Sequence, residues 1–166
     1  NKLALSLEET DVVAFLYEIF LSFGDIAEQK KMDFRFNPSV PSYKMFIDKG
    51  NLDKVTYNLL SNAFKYTPSN GCIVLSVTVD EVKKMLQTEL FKRFMQSSFS
   101  GDSIGVGLHL THELVQVHKG TIKYADNEGG GSVFTVSVPT DKSVYEEKDF
   151  LVANNALLRE ANAHDV

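Results

Sequence analysis

The sequence predicts an α/β two-layer sandwich: a mixed, mostly antiparallel sheet with three helices on one face. Three observations carry that reading. Leu3-Ala-Leu-Ser-Leu7 and Cys72 to Val79 alternate apolar residues with the two-residue period of strands. Phe15, Leu16, Ile19, Phe20, Phe23 and Ile26 recur at the three-to-four spacing of a helix, as do Leu52, Val55, Leu59, Ala63 and Tyr66. The two kinds of run follow one another in the order β-α-β-β-α-β-β-loop-α-β-β, which a single sheet covered by helices accommodates.

Leu3 to Leu7 reads as the first strand. Thr10 or Asp11 can cap a helix running to about Lys30. Alternation returns from Met32 to Asn37, Pro38 and Pro41 interrupt it, and Tyr43 to Ile47 resumes a strand. Asn51 to about Tyr66 reads as a helix stopped by Thr67-Pro68. Ser69-Asn70-Gly71 is a turn, Cys72 to Val79 a strand, Asp80-Glu81 a turn, and Val82 to Gln87 a short strand. Glu89 to Phe94, a Ser-rich loop and a helical stretch from Leu108 to His118 follow. Thr121 to Ala125 and Ser132 to Val138 form a hairpin around Asn127-Glu-Gly-Gly-Gly131. A strand follows the triple glycine, so it reads as hairpin punctuation and not as a phosphate loop. The organisation is therefore one domain over residues 1–140 and a separate segment over 141–166. That segment has no glycine and clusters its apolar residues at Phe150-Leu-Val152 and Ala156-Leu-Leu158. A docked short helix, a linker and a partly ordered tail all remain open there.

Composition narrows the function. With 166 residues, 43% hydrophobic and 23% charged, the chain is that of one globular domain with a real core. A net charge of −5 argues against a general nucleic-acid or anionic-membrane surface. No apolar run reaches membrane-span length, and no signal peptide is visible. Cys72, the single cysteine, lies in an apolar strand pattern and reads as a small hydrophobe in a reducing compartment. The chain starts at Asn1 without an initiator methionine and is expected to be a piece of something longer.

Two segments carry chemistry. Asn58, Asn62 and Lys65 sit at i, i+4 and i+7 and form one polar line beside the apolar stripe of their helix. Two amide oxygens and one ammonium suit a magnesium–phosphate ligand. An ordinary amide-rich flank fits that segment alone equally well. Gly105-Val106-Gly107-Leu108 opens a helix after the Ser97-to-Ser103 loop. Glycine allows close approach of backbone, and a helix start offers free N–H groups to phosphate. The combination of the two segments favours a nucleotide site. His112-Glu113 is no zinc motif, because Gln116 stands where a second histidine is needed.

These residues resemble the catalytic ATP-binding domain of bacterial sensor histidine kinases, of the gyrase–Hsp90–histidine kinase–MutL superfamily with its Bergerat fold. Asn58-Leu-Leu-Ser-Asn62-Ala-Phe-Lys65-Tyr66 is similar to the N box, Glu89-Leu-Phe91-Lys-Arg-Phe94 to the F box, Gly105-Val-Gly107-Leu108-His-Leu to the second glycine box, and Gly131-Ser132-Val-Phe134-Thr-Val-Ser-Val-Pro139 to the closing strand. The resemblance spans about Leu3 to Pro139. It implies ATP and Mg2+ as ligands, with Asn62 holding the metal, Asn58 at the metal shell or a phosphate, and Lys65 on a phosphate. Tyr66 is placed against the nucleotide or the lid, with core packing an equal alternative. Gly105, Val106, Gly107 and Leu108 provide a phosphate-facing backbone, and Ser132 lies near the adenine. Asn58 stands where hydrolytic and serine-kinase relatives place a glutamate. Lacking a basic carboxylate, it favours transfer to a group that is already nucleophilic, and Asn58 and Lys65 are the residues expected to serve catalysis. The acceptor histidine is implied on a dimerisation domain upstream of Asn1, and a response-regulator receiver domain as the next partner. His112-Glu113-Leu114 is similar to an acceptor box but lacks its proline and sits within the last helix. The full-length protein is expected to be a membrane-associated homodimer with this domain in the cytoplasm, and the fragment a monomer.

Two features depart from the family. Its Asp-x-Gly-x-Gly motif, whose aspartate bonds the adenine amino group, is missing. The spacing predicts that residues are absent between Gln87 and Thr88. A gap in the resolved chain is favoured over an engineered deletion or a natural loss, because the neighbouring motifs are intact. Gln96 also stands where many members carry an arginine. Lys92 and Arg93 nearby read as solvated charges on an exposed lid. A non-catalytic module of the same fold is the principal alternative, and a superfamily ATPase or serine kinase the next.

Overall fold

The computed structural model describes residues 4–93 and 106–151. A short antiparallel pair, β1 (Glu8–Asp11) and β3 (Lys44–Ile47), stands beside a five-stranded sheet. That sheet has the order β2-β4-β5-β7-β6, with β2 at Asp33–Pro38, β4 at Cys72–Asp80, β5 at Met85–Arg93, β6 at Thr121–Asp126 and β7 at Ser132–Pro139. Only β2 and β4 run parallel. The helices are α1 (Val12–Ser22), α2 (Gly24–Gln29), α3 (Lys49–Tyr66) and α4 (Val106–Val117). This is the predicted two-layer α/β sandwich.

Alternation along the strands sets the two faces. Ile73, Leu75 and Val77 of β4, Leu86 and Leu90 of β5, and Phe134, Val136 and Val138 of β7 are buried and face the helices. Their neighbours on the opposite face are part-exposed. Leu16, Leu60 and Phe64 close the core from the helix side, and Phe20 stacks on Phe34 at 4.0 Å between ring centres. Burying such side chains stabilises the sandwich by about 2 kcal/mol each.

Several predicted boundaries move. Leu3 to Leu7 does not form a regular strand among its described residues; Leu7 makes one parallel bridge to Phe150, and β1 begins at Glu8. The expected helix to Lys30 divides at Phe23, whose N–H returns to the Phe20 carbonyl, and restarts at Gly24 as α2. Asp11, not Thr10, is the cap of α1. Its Oδ1 accepts from the N–H groups of Val13 and Ala14 at 3.2 and 3.4 Å and of Tyr43 at 3.2 Å. Ser42 Oγ donates to its other oxygen at 2.8 Å.

The largest difference lies at β5. The predicted strand Val82–Gln87 is displaced, because residues 81–84 form the turn, with the N–H groups of Val82 and Lys83 donating to Asp80 Oδ1. β5 then runs from Met85 to Arg93. Its ladders pass unbroken across the Gln87–Thr88 junction: Thr78 pairs with Gln87 and Val77 with Thr88 on one side, and Ser137 with Gln87 and Val136 with Thr88 on the other. Glu89 to Arg93 of the F box are therefore strand residues, and Phe94 lies outside the described residues. Strand alternation turns Lys92 inward: it is 2% exposed, with Nζ 5.3 Å from the centre of the Phe134 ring. The reading of Lys92 as a solvated lid charge is thereby corrected. Desolvation pulls its pKa down to about 8.

The chain continues against the domain after Pro139. Leu7 N–H donates to the Asp149 carbonyl at 2.7 Å, and Leu151 N–H to the Leu7 carbonyl at 2.8 Å. Phe150 meets Phe46 edge-on at 5.2 Å, and Tyr145 is buried against Leu5 and Leu7. The Tyr145 hydroxyl donates to the His118 carbonyl at 2.7 Å. His118 is buried just beyond α4. Its Nε2 accepts the Asp48 N–H at 3.1 Å, and its Nδ1 faces the Leu114 carbonyl at 3.4 Å. That pairing is satisfied by the neutral Nδ1–H tautomer.

Two predictions follow from these buried bases. Burial holds the His118 pKa below its ordinary 6.5 against the opposing effects of the Leu114 carbonyl and the Asp48 charge. The unfolded chain takes up this proton first, so the stability from neutral His118 is complete above about pH 6.5 and is lost progressively as the pH falls below it. Thermal melts between pH 7.5 and 5.5 are expected to show that loss, with a shallower slope in His118→Gln. Lys92 is disfavoured as a cation in the fold, so its cost is present at neutral pH and fades between about pH 8 and 10.5. Lys92→Met is expected to raise stability more at pH 7 than above pH 10.5, as read from denaturant midpoints.

Candidate functional site

The site is built on α3. Asp48 caps this helix through Oδ1, which accepts the Asn51 N–H at 3.1 Å, while its Oδ2 accepts the Ser6 N–H at 2.9 Å. Lys30 Nζ closes the other end, donating to the carbonyls of Phe64 and Thr67. A cation at a helix C-terminus meets the negative end of the dipole and satisfies carbonyls that the helix leaves free. Between these caps Leu52, Val55, Leu59, Leu60, Ala63 and Phe64 are buried on the sheet. Asn58 and Asn62 lie at the edge of that stripe and are half-buried.

α4 runs antiparallel beside α3. The Asp48–His118 bond joins the start of α3 to the end of α4, and Asn58 Nδ2 lies 3.5 Å from Thr111 Oγ1 midway along both. Ten positions forward on α3 thus correspond to seven back on α4. One further turn brings Asn62 level with the start of α4. The structure therefore brings together the two segments singled out in the sequence. Val106 and Gly107 form the first turn of α4, and Leu108 packs half-buried against the core. Gly105 and Gln96 lie outside the described residues.

Lys65 takes a different direction. It is exposed, borders a groove of about 490 Å3 against Phe23 and Ile26, and holds Nζ 5.3 Å from the Tyr66 ring centre. Tyr66 itself is half-buried. Ser132 is buried at the start of β7, paired with Lys92 on one side and Asp126 on the other. Sequence reasoning missed Lys92 because its burial depends on how far β5 extends. It missed Thr111 because nothing in a lone helical threonine announces a neighbour 53 positions away.

The donor chemistry limits what a metal could use. Among the described residues no group of three or more His, Cys, Asp or Glu side chains is placed to hold an ion. His109 Nε2 pairs with Glu113 Oε1 at 3.2 Å on the exposed face of α4. Amide oxygens at Asn58 and Asn62 are hard, neutral donors, of the kind that a hard cation such as magnesium would accept. The cavity beneath α3, lined by Leu59, Leu60, Thr56, Thr88, Leu90 and Val136, measures about 10 Å3, room for about one water. The space between α3 and the sheet is therefore too small for a nucleotide.

Residues 47–142 match the family described as histidine kinase-, DNA gyrase B- and HSP90-like ATPase. Histidine kinase P4 of Formosa agariphila is 29% identical over 168 positions, covering 89% of this chain and 12% of that protein. Sensor histidine kinase TmoS of Ectopseudomonas mendocina is 29% identical over 185 positions, covering the whole chain and 18% of that protein. The chain thus spans less than a fifth of the length of these relatives. An alignment of 185 positions exceeds the 166 residues available, so TmoS carries residues with no counterpart here. Among solved structures, the catalytic domain of histidine kinase ThkA superposes with a TM-score of 0.72 at 19% identity, covering 82% of this chain and 98% of that one. Acinetobacter baumannii histidine kinase AdeS gives 0.70 at 23%, covering 84% and 70%. The match over residues 47–142, on a matching two-layer fold, places this chain in the histidine kinase-, DNA gyrase B- and HSP90-like ATPase family.

Proposed function

We propose that this chain is the catalytic domain of a two-component sensor histidine kinase, binding Mg-ATP and donating its γ-phosphate to a histidine on a separate dimerisation domain. The observation that carries this is the seating of α4 against the Asn58–Asn62 edge of α3 through the Asn58–Thr111 contact. Asn62 would hold the magnesium through its amide oxygen, and Asn58 would complete the metal shell or meet a phosphate. The metal would supply positive charge to offset that of the phosphates. The start of α4 offers main-chain N–H groups to the same phosphates. Lys65, an exposed point charge, would pair with a phosphate. Ser132 lies at the base-proximal end of the sheet in this reading. Asn58 has no carboxylate with which to activate water, so transfer to a neutral imidazole is favoured over hydrolysis.

The phosphate would pass to a response-regulator aspartate. Histidine kinase ThkA, similar in fold, has been solved in complex with response regulator protein TrrA. The whole protein is proposed to be a membrane-associated homodimer with this domain in the cytoplasm. Among the described residues no helix is long and apolar enough to cross a membrane. The acidic net charge accords with a protein partner and no nucleic acid. The folded unit is proposed to reach Leu151, since Tyr145 and Phe150 pack on it. We place the residues that TmoS has in excess between Gln87 and Thr88, where the Asp-x-Gly-x-Gly motif is due.

The missing motif and the continuous β5 favour one second reading, a binding module of this fold without catalysis. Titration with a fluorescent ATP analogue separates the two. The kinase reading expects saturable binding that Mg2+ strengthens and that Asn62→Ala weakens by about 10-fold or more. It also expects phosphate transfer to an added dimerisation domain and no stable phosphohistidine on the chain alone. Binding without transfer selects the non-catalytic module, rapid steady phosphate release selects an ATPase, and no binding at all removes the nucleotide reading.

A further inference from the structure

The geometry points to Thr111 as a positioning residue that fixes which end of the Asn58 amide faces the nucleotide's metal, an inference that rests on the nucleotide reading above. A metal accepts only the oxygen of an asparagine amide, whereas the two ends are almost identical in shape. A half-buried amide with no directing neighbour therefore presents the repelling NH2 group in part of the population. Thr111 is 0% exposed on α4, and its hydroxyl oxygen lies 3.5 Å from Asn58 Nδ2. A donor on Asn58 meeting this oxygen leaves Oδ1 on the side away from Thr111. Within a helix, a threonine hydroxyl commonly gives its proton to a carbonyl one turn back, which leaves the oxygen as an acceptor.

The backbone on both sides of this contact is held. Asp48 and the His118 imidazole pin the two helices at one end, and Leu114 and Val115 of α4 are buried in the core shared with Leu59 and Leu60. Thr111 thus cannot drift from Asn58 without disturbing packed neighbours. Its contribution is selection of an orientation, of the kind made by groups that orient metal ligands from behind. Simple core filling by Thr111 would be matched or improved by valine, which has the same shape and no hydroxyl. The two roles therefore separate in experiment.

The test measures the Mg2+ concentration needed for half-maximal binding of a fluorescent ATP analogue, using the whole chain. Thr111→Val is expected to raise that midpoint about 10-fold while the melting temperature is unchanged or higher, and Thr111→Ser is expected to restore it to within about twofold. Asn58→Asp has two equivalent oxygens and no NH2 to misplace. In that background Thr111→Val is expected to shift the midpoint less than about twofold, so the two substitutions are strongly non-additive. Thr111→Ala carries the same expectation if the valine variant does not fold. An unchanged midpoint in Thr111→Val, or an equal shift in both backgrounds, overturns the proposal while the nucleotide reading stands. Absence of Mg2+-dependent binding by the unaltered chain overturns both.

Discussion

The antiparallel seating of α4 on α3 is the constraint on which the rest of the site depends. Two polar contacts set its register, Asp48 N–H to His118 Nε2 and Asn58 Nδ2 to Thr111 Oγ1. Both lie beside buried apolar residues, where an unmet polar group costs about 1–3 kcal/mol. A slip of one residue along either helix would break both contacts. The observed register puts the Asn62 end of the amide edge of α3 level with the first turn of α4.

The same register ties the site to the ends of the folded unit. Asp48 caps α3 and holds Ser6, while the carbonyl of His118 receives the Tyr145 hydroxyl. The segment that follows the last strand thus reaches the base of α4 through Tyr145, and Ser6 near the start of the chain reaches that of α3. Leu7 bonds to Asp149 and Leu151, so the first and last described parts of the chain meet at this point.

β5 illustrates how a sheet treats the residues it is given. The ladders to β4 and β7 are satisfied by backbone groups and are nearly indifferent to side-chain identity. A strand here therefore draws in Lys92 and Arg93, which read as lid charges in sequence, and buries the Lys92 amine at a cost in desolvation. Charge alone labelled Lys92 as exposed. Its position in the alternation, which depends on the partner strands, made it a buried base.

Periodicity in the chain determined the class of fold, the run of helices and strands, and the Asn58–Asn62 face of α3, because these depend on contacts a few residues apart. The N-box and second glycine-box spacings likewise made the family legible without a structure. Element ends were less legible: the break at Phe23–Gly24, the start of β1 at Glu8 and the reach of β5 all depend on partners distant in sequence. The burial of His118, the inward turn of Lys92 and the meeting of Asn58 with Thr111 were decided only by tertiary structure. Each requires groups from separate elements to share one dry space, and a linear pattern records neither the dryness nor the neighbour.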